Sequence, residues 1–221
     1  MRLAALITGG KDSALALHRV LKEGHEVAYL VTMIPQREDS WMYHFPNIRL
    51  TDLFAEASGI PLVKAETSGV KEEEVEDMKR LLAELDVDGI VSGAVYSEYQ
   101  KSRIDRVCRE IGKKSVSPLW HENPSRLMIE LIDFRFEVVI VGVYAYGLDQ
   151  NWLGRQIDRS ALEELVELEK RYQISVIGEG GEFETFVLYA PYFKKRIHIV
   201  GTEVIWENGS GYLSIKGAEL A

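Results

Sequence analysis

Through the first half of the chain, short apolar runs alternate with stretches whose apolar positions recur every three or four residues. The pattern predicts strands over 2–7, 26–32, 62–65 and 89–92, and helices over 11–22, 47–57, 71–85 and 98–111. Strict alternation of strand and helix is the rhythm of βαβ units, whose crossovers return the chain to a parallel neighbour. The order therefore predicts an α/β fold with a doubly wound parallel sheet. Gly24, Gly59, Gly69 and Gly112 stand where helices or turns end, as left-handed positions require.

Between Pro118 and Pro124 the alternation breaks, because two prolines, Trp120 and Asn123 interrupt the periodic pattern. A domain boundary falls there, giving residues 1–122 and a smaller α+β domain over 123–221. The second part predicts a helix over 125–132, a strand over 137–143, a helix over 158–172, a strand-like run at 186–189, and an antiparallel pair at 196–206 and 212–216. Asn208-Gly209 is the turn signal of that last pair. The sequence contains no internal repeat or low-complexity segment.

The chain's 221 residues, 46% of them hydrophobic, suffice for a substantial core. Its apolar runs fall short of the roughly 20 residues that cross a bilayer, and no targeting segment precedes the first strand, so no membrane association is expected. One cysteine, Cys108, excludes an intrachain disulfide and a multi-cysteine zinc site, and points to a reducing cytoplasm. A net charge of −9 opposes a broad grip on nucleic acid. Lys194-Lys195-Arg196 is a local basic exception, read more simply as a solvated strand edge.

In a doubly wound sheet, ligands bind beyond the carboxyl ends of the strands. The loop Thr8 to Ser13, the segment after Thr32 and the segment from Gly93 to Gln100 should therefore converge on one cleft. The first, Thr-Gly-Gly-Lys-Asp-Ser between a strand and a helix, has the makings of a phosphate cradle: two glycines permit a tight turn with inward N–H groups, and the helix start adds positive potential. The adjacent glycines do not match the Walker A spacing. Lys11 adds charge and the hydroxyls of Thr8 and Ser13 add donors, while Asp12 suits either a Mg²⁺ ligand or a helix-start carboxylate. In the segment 93–103, Ser97 is a candidate N-cap and Arg103 could reach a phosphate from the first turns of the helix. Glu179, Glu182 and Glu184 lie within six residues, crowding that suits either a cation site or a solvated turn. The segment 42–47 is aromatic-rich, with Asn47 as a plausible N-cap and His44 either packed or functional.

The loop 8–13 resembles the PP-loop of the ATP pyrophosphatases. Together with 42–47, 93–103, 118–120 and 179–185, it resembles the motif set of the diphthine ammonia ligase family across both halves of the chain. The resemblance implies an adenine nucleotide α-hydrolase-like fold and ATP cleavage to AMP and pyrophosphate, with Mg²⁺. It further implies that ammonium amidates the carboxylate of diphthine on translation elongation factor 2 through an acyl adenylate, the last step of diphthamide synthesis. It assigns ATP binding to Thr8, Gly9, Gly10, Lys11, Asp12, Ser13, Tyr99, Gln100 and Arg103, with Asp12 also placing the metal. Catalysis is assigned to Lys11, Asp12, Glu182 and Glu184, the last two holding ammonium and taking its proton, and substrate contacts to His44, Asn47 and Glu179.

Thr8 replaces the serine common in this loop but keeps its hydroxyl. Tyr189 stands where the family often has aspartate, so no role tied to that carboxylate transfers. The chain ends without the appended domains of some longer relatives, and it is compatible with a homo-oligomer. Other readings open to the same residues are a PP-loop tRNA-modifying enzyme, a ligase for a small carboxylic acid, and a non-catalytic nucleotide-binding module.

Overall fold

Strands β1 (Arg2–Leu6), β2 (Glu26–Pro35), β3 (Leu62–Thr67), β4 (Gly89–Val91) and β5 (Lys114–Val116) form a parallel sheet in the order β3-β2-β1-β4-β5. The computed structural model describes residues 1–35, 47–68 and 72–221. β1 shows how the sequence sets the layers: Leu3 and Ala5 enter a core with Leu15 and Val20 of α1 (Lys11–Lys22) and Phe54 of α2 (Thr51–Ser58). Ala4 faces the opposite core, with Val75 and Met78 of α3 (Glu73–Glu84) and Ile104 and Val107 of α4 (Glu98–Glu110). Side chains alternate across a strand, so one apolar run serves both faces. The doubly wound fold read from the sequence is the one observed.

β5 is an addition to that reading. Lys114-Ser115-Val116 is too short and too polar for periodicity to detect, and it is defined by backbone pairing with β4. Gly24, Gly59 and Gly112 take positive φ as expected, while Gly69 lies outside the described residues.

After α5 (Pro124–Asp133), strands β6 (Glu137–Val143), β7 (Phe183–Tyr189), β8 (Ile197–Glu207) and β9 (Ser210–Leu220) build an antiparallel sheet in the order β7-β6-β9-β8, with α6 (Arg159–Tyr172) between β6 and β7. Pro124 starts α5 rather than interrupting it: Asn123 accepts the Arg126 N–H at 3.0 Å, and a proline in the first turn gives up no helical hydrogen bond. Asn208 and Gly209 both take positive φ, the conformation of a two-residue hairpin turn. β7 begins three residues before the predicted run, so Glu184 and Thr185 belong to a strand.

The two sheets share a core. Leu15, Phe54, Leu127, Val138 and Phe186 belong to one apolar cluster running from the α1 and α2 face of the parallel sheet to the antiparallel sheet. Asn47 reinforces the junction and does not cap a helix: its side-chain amide donates to the Leu213 carbonyl at 3.1 Å and accepts the Ile215 N–H at 3.2 Å. Buried at 6% exposure, it extends the pairing of β9.

Candidate active site

The carboxyl ends of the parallel strands open into a cavity of about 490 Å³, closed on its far side by the antiparallel half. Thr8, Gly10, Lys11, Asp12 and Ser13 line it, as do Tyr99 and Gln100 at the start of α4, and Asn47, Glu179 and Glu184. The predicted convergence of the 8–13 loop and the segment after β4 is thus observed, whereas His44 lies outside the described residues.

The loop is shaped from both halves of the chain. Gly9 turns with φ +86°, and a Cβ there would stand 2.8 Å from the Phe186 ring. The Gly9 carbonyl accepts the Val187 N–H at 2.9 Å, and the Lys11 N–H donates to Thr185 Oγ1 at 3.1 Å. Gly10 precedes α1 in extended conformation, and the Ser13 hydroxyl donates back to its carbonyl at 3.0 Å. Gly93, directly after Ser92, packs on the same turn: a Cβ there would stand 2.6 Å from the Ser13 amide nitrogen.

Lys11 is only 3% exposed, with its ammonium 2.9 Å from Asp12 Oδ2 and 5.3 Å from the Phe183 ring centroid. The aromatic face and the carboxylate compensate a charge that burial alone would make costly. Asp12 Oδ1 is buried with no hydrogen-bond partner among the described residues. An oxygen left in that state fits a hard cation bound together with phosphate oxygens and water, the usual manner for Mg²⁺. Among the described residues, no group of three or more His, Cys, Asp or Glu could hold a metal by itself.

The three glutamates of the acidic segment separate. Glu179 Oε1 accepts the N–H groups of Tyr96 at 2.9 Å and Ser97 at 2.8 Å, tying the antiparallel half to the start of α4. Burial pushes its carboxyl above the ordinary range; the Tyr96 N–H opposes the rise, and the Asp12 charge adds to it. Glu182 does not face the cavity, contrary to its expected pairing with Glu184. Its two oxygens accept the N–H groups of Ser175 and Gly180, each at 2.8 Å, so its charge is spent holding the turn before β7. Glu184 alone of the later pair lines the cavity. It sits opposite Gly142 in the β6–β7 register, and the Tyr144 hydroxyl folds back over the same glycine, 2.8 Å from where a Cβ would stand. Burial, with Glu184 next in importance, pushes that hydroxyl's pKa up.

Arg103 also departs from expectation, since it is not among the residues lining the cavity. Its guanidinium lies 3.5 Å from the Tyr99 ring centroid and donates to Glu72 at 2.6 Å. One helical turn beyond Tyr99, it braces the tyrosine from behind. Ser97 does cap α4, accepting the Gln100 N–H at 3.4 Å. Sequence reasoning assigned no role to Thr185, Phe186 or Gly93. The signal for Gly93 was a glycine directly after a strand; Thr185 and Phe186 carried none beyond their motif. Cys108 is core, 1% exposed, its thiol pushed up to about 11 chiefly by burial. Of the basic trio, Arg196 pairs with Glu137 and lies over the Tyr189 ring. Among the described residues no helix is long and apolar enough to cross a membrane.

Two family models match the chain: the diphthamide synthase N-terminal domain over residues 1–115 and the diphthamide synthase C-terminal domain over 123–221. A human protein named diphthine–ammonia ligase is 34% identical, the match covering 97% of this chain and 89% of the relative. The relatives of the same name from Rattus norvegicus and Danio rerio are 34% and 33% identical, over 100% and 97% of this chain and 92% of each relative. A crystal structure from Methanocaldococcus jannaschii, titled a predicted subunit of tRNA methyltransferase, is 16% identical with a TM-score of 0.49, covering 89% of this chain and 100% of that one. At that score the likeness bears on neither fold nor function. With both family models matched in chain order and the relatives covered almost end to end, the chain belongs to the diphthamide synthase family.

Proposed function

We propose that the protein is an ATP-dependent carboxylate–ammonia ligase that amidates diphthine on translation elongation factor 2, releasing AMP and pyrophosphate, the last step of diphthamide synthesis. The observation that supports this reading is the single cavity lined by the glycine loop before α1, by Tyr99 and Gln100, and by Glu184 of β7. Nucleotide activation and amine delivery need adjoining subsites, and the residues assigned to the two line the same cavity.

A carboxylate is a poor acyl donor because its leaving group would be oxide. Its oxygen therefore attacks the α-phosphorus of ATP; a new P–O bond forms, and the bond to the α–β bridging oxygen breaks, giving an acyl adenylate. Thr8, the backbone N–H groups of Gly9 and Gly10 and the Lys11 ammonium stabilise the charge that moves onto pyrophosphate, while the Ser13 hydroxyl holds the turn through the Gly10 carbonyl. Asp12, through its unpartnered Oδ1, would hold Mg²⁺, an ion that neutralises phosphate charge when bound. Tyr99 and Gln100 orient the nucleotide or the diphthine, and Arg103 serves by fixing Tyr99. Glu184 attracts ammonium and takes one proton; ammonia then attacks the acyl carbon, the C–O bond to AMP breaks, and the second proton leaves for solvent. Asn47 and Glu179 shape the substrate side by joining the halves of the chain, and His44 is a further substrate contact implied by the family motif.

The test is to mix the protein with ATP, Mg²⁺, ammonium and diphthine-bearing elongation factor 2. AMP, pyrophosphate and the mass decrease of replacing OH by NH₂ on the modified histidine are the expected products. ADP and orthophosphate would refute the mechanism.

A further inference from the structure

The cradle's least expected feature is that one of its own donors is already engaged. The Lys11 N–H, at the start of α1 where a bound phosphate would be received, donates instead to Thr185 Oγ1 at 3.1 Å. Two residues along the same strand, the Val187 N–H donates to the Gly9 carbonyl at 2.9 Å, so β7 holds the glycine turn through a side chain at 185 and its main chain at 187. A hydroxyl has two acceptor lone pairs and one proton to give. In Thr185 an acceptor position is filled by Lys11, and the proton has no acceptor among the described residues. Thr185 borders the cavity beside Gly10, where a Cβ would stand 3.7 Å from its Oγ1.

We propose that Thr185 is a phosphate-binding residue supplied to the glycine loop by the antiparallel half of the chain, its hydroxyl donating to an oxygen of the β- or γ-phosphate. The amide donor that the loop gives up is returned one side chain further into the cavity as an O–H donor, polarised by the N–H it accepts. Phosphate oxygens are the ligand class that rewards a donor here, because hydrogen bonds to charged acceptors are about twice as strong as neutral ones. The consequence is a cradle that neither half completes alone. Glu184, the next residue on β7, borders the same cavity, so a single strand carries both the amine-side carboxylate and a phosphate donor.

This inference rests on the ATP reading above, and the experiment separates the two. Titration calorimetry with inorganic pyrophosphate, ATP and AMP is run on the wild type, Thr185→Val and Thr185→Ser, with thermal melts to confirm folding; valine keeps the β-branched shape a strand favours. Thr185→Val is expected to bind pyrophosphate and ATP about tenfold more weakly, as loss of a charge-assisted hydrogen bond implies. AMP binding should stay unchanged, and Thr185→Ser should match the wild type. Equal affinities of wild type and Thr185→Val for pyrophosphate, or an equal loss for AMP, would overturn the proposal, the latter because it marks a brace for the loop. If the wild type binds neither pyrophosphate nor ATP, the ATP reading fails first and this one with it. Should Thr185→Val not fold, a crystal structure of the wild type with pyrophosphate decides: Oγ1 within about 3 Å of a phosphate oxygen supports the proposal, and a longer separation refutes it.

Discussion

Gly93 and Ser13 are in such close contact that a methyl group on the Gly93 α-carbon would stand 2.6 Å from the Ser13 amide nitrogen and 2.7 Å from the Asp12 carbonyl carbon. Both neighbours are backbone atoms, which cannot rotate out of the way. The loop after β4 and the glycine turn before α1 therefore touch main chain to main chain, and each sets the position of the other.

Gly93→Ala must push the two segments apart. The expected result is a loss of about 1–3 kcal/mol of stability from overpacking. A displacement of even 1 Å at the cradle should lower kcat/KM for ATP by roughly 100-fold. Urea denaturation and pyrophosphate-release kinetics on the same preparation check both; unchanged turnover would show that the contact does not shape the cradle.

Glu182 and Glu184 are two residues apart but differ in surroundings, and their variants should separate. Glu184→Gln is expected to raise KM for ammonium by at least tenfold, because a neutral amide neither attracts the cation nor takes its proton. Glu182→Gln keeps an oxygen for one of the Ser175 and Gly180 N–H groups but confronts the other with an NH₂. Its effect should be a lower melting temperature with the ammonium dependence retained. An initial-rate series in ammonium chloride with both variants distinguishes the roles, and the reverse pattern would return the ammonium site to Glu182.

Arg103 lies behind Tyr99, so its removal should act through the tyrosine. Arg103→Leu is expected to raise KM for ATP or for the protein substrate severalfold with little change in kcat. Combined with Tyr99→Leu, the two losses should be less than additive, since residues in contact couple by roughly 0.5–3 kcal/mol. Full additivity would mean that Arg103 contacts the substrate directly.

His18 titrates among aromatic rings, its centroid 4.8 Å from that of Phe134 and 5.5 Å from that of Phe136, with Nε2 buried and unpartnered among the described residues. Burial, then the Lys22 charge, lowers its pKa from the ordinary 6.5, while Glu130 opposes. The unfolded chain then binds the proton more readily than the folded one, so stability is lost as pH falls from 6.5 toward the lowered value. Urea midpoints across that window should fall for the wild type and stay flatter for His18→Leu. Parallel slopes would show that His18 ionises as easily folded as unfolded.

The layers of the parallel sheet were legible because Leu3, Ala4 and Ala5 already declare the two faces of a buried strand, and α1 and α4 follow strands at regular spacing. β5 was not, because three polar-leaning residues acquire strand geometry only from a neighbour to pair with. Asn47 read as a helix cap from its local context, but a backbone more than 160 residues away offers it two better partners. Arg103 looked like a phosphate ligand because charge is visible in sequence and direction is not.

The chemistry at the ends of the strands was written into local order. Two adjacent glycines with a lysine between a strand and a helix set the tight turn and its backbone dipoles locally, whereas Gly93, Thr185 and Phe186 fix its final shape from elsewhere in the chain. The division of labour among Glu179, Glu182 and Glu184 belongs to the tertiary structure. Three like charges in one short segment can be distributed only once the α4 N–H groups, the Ser175 turn and the cavity present different partners, and these are brought together by the shared core.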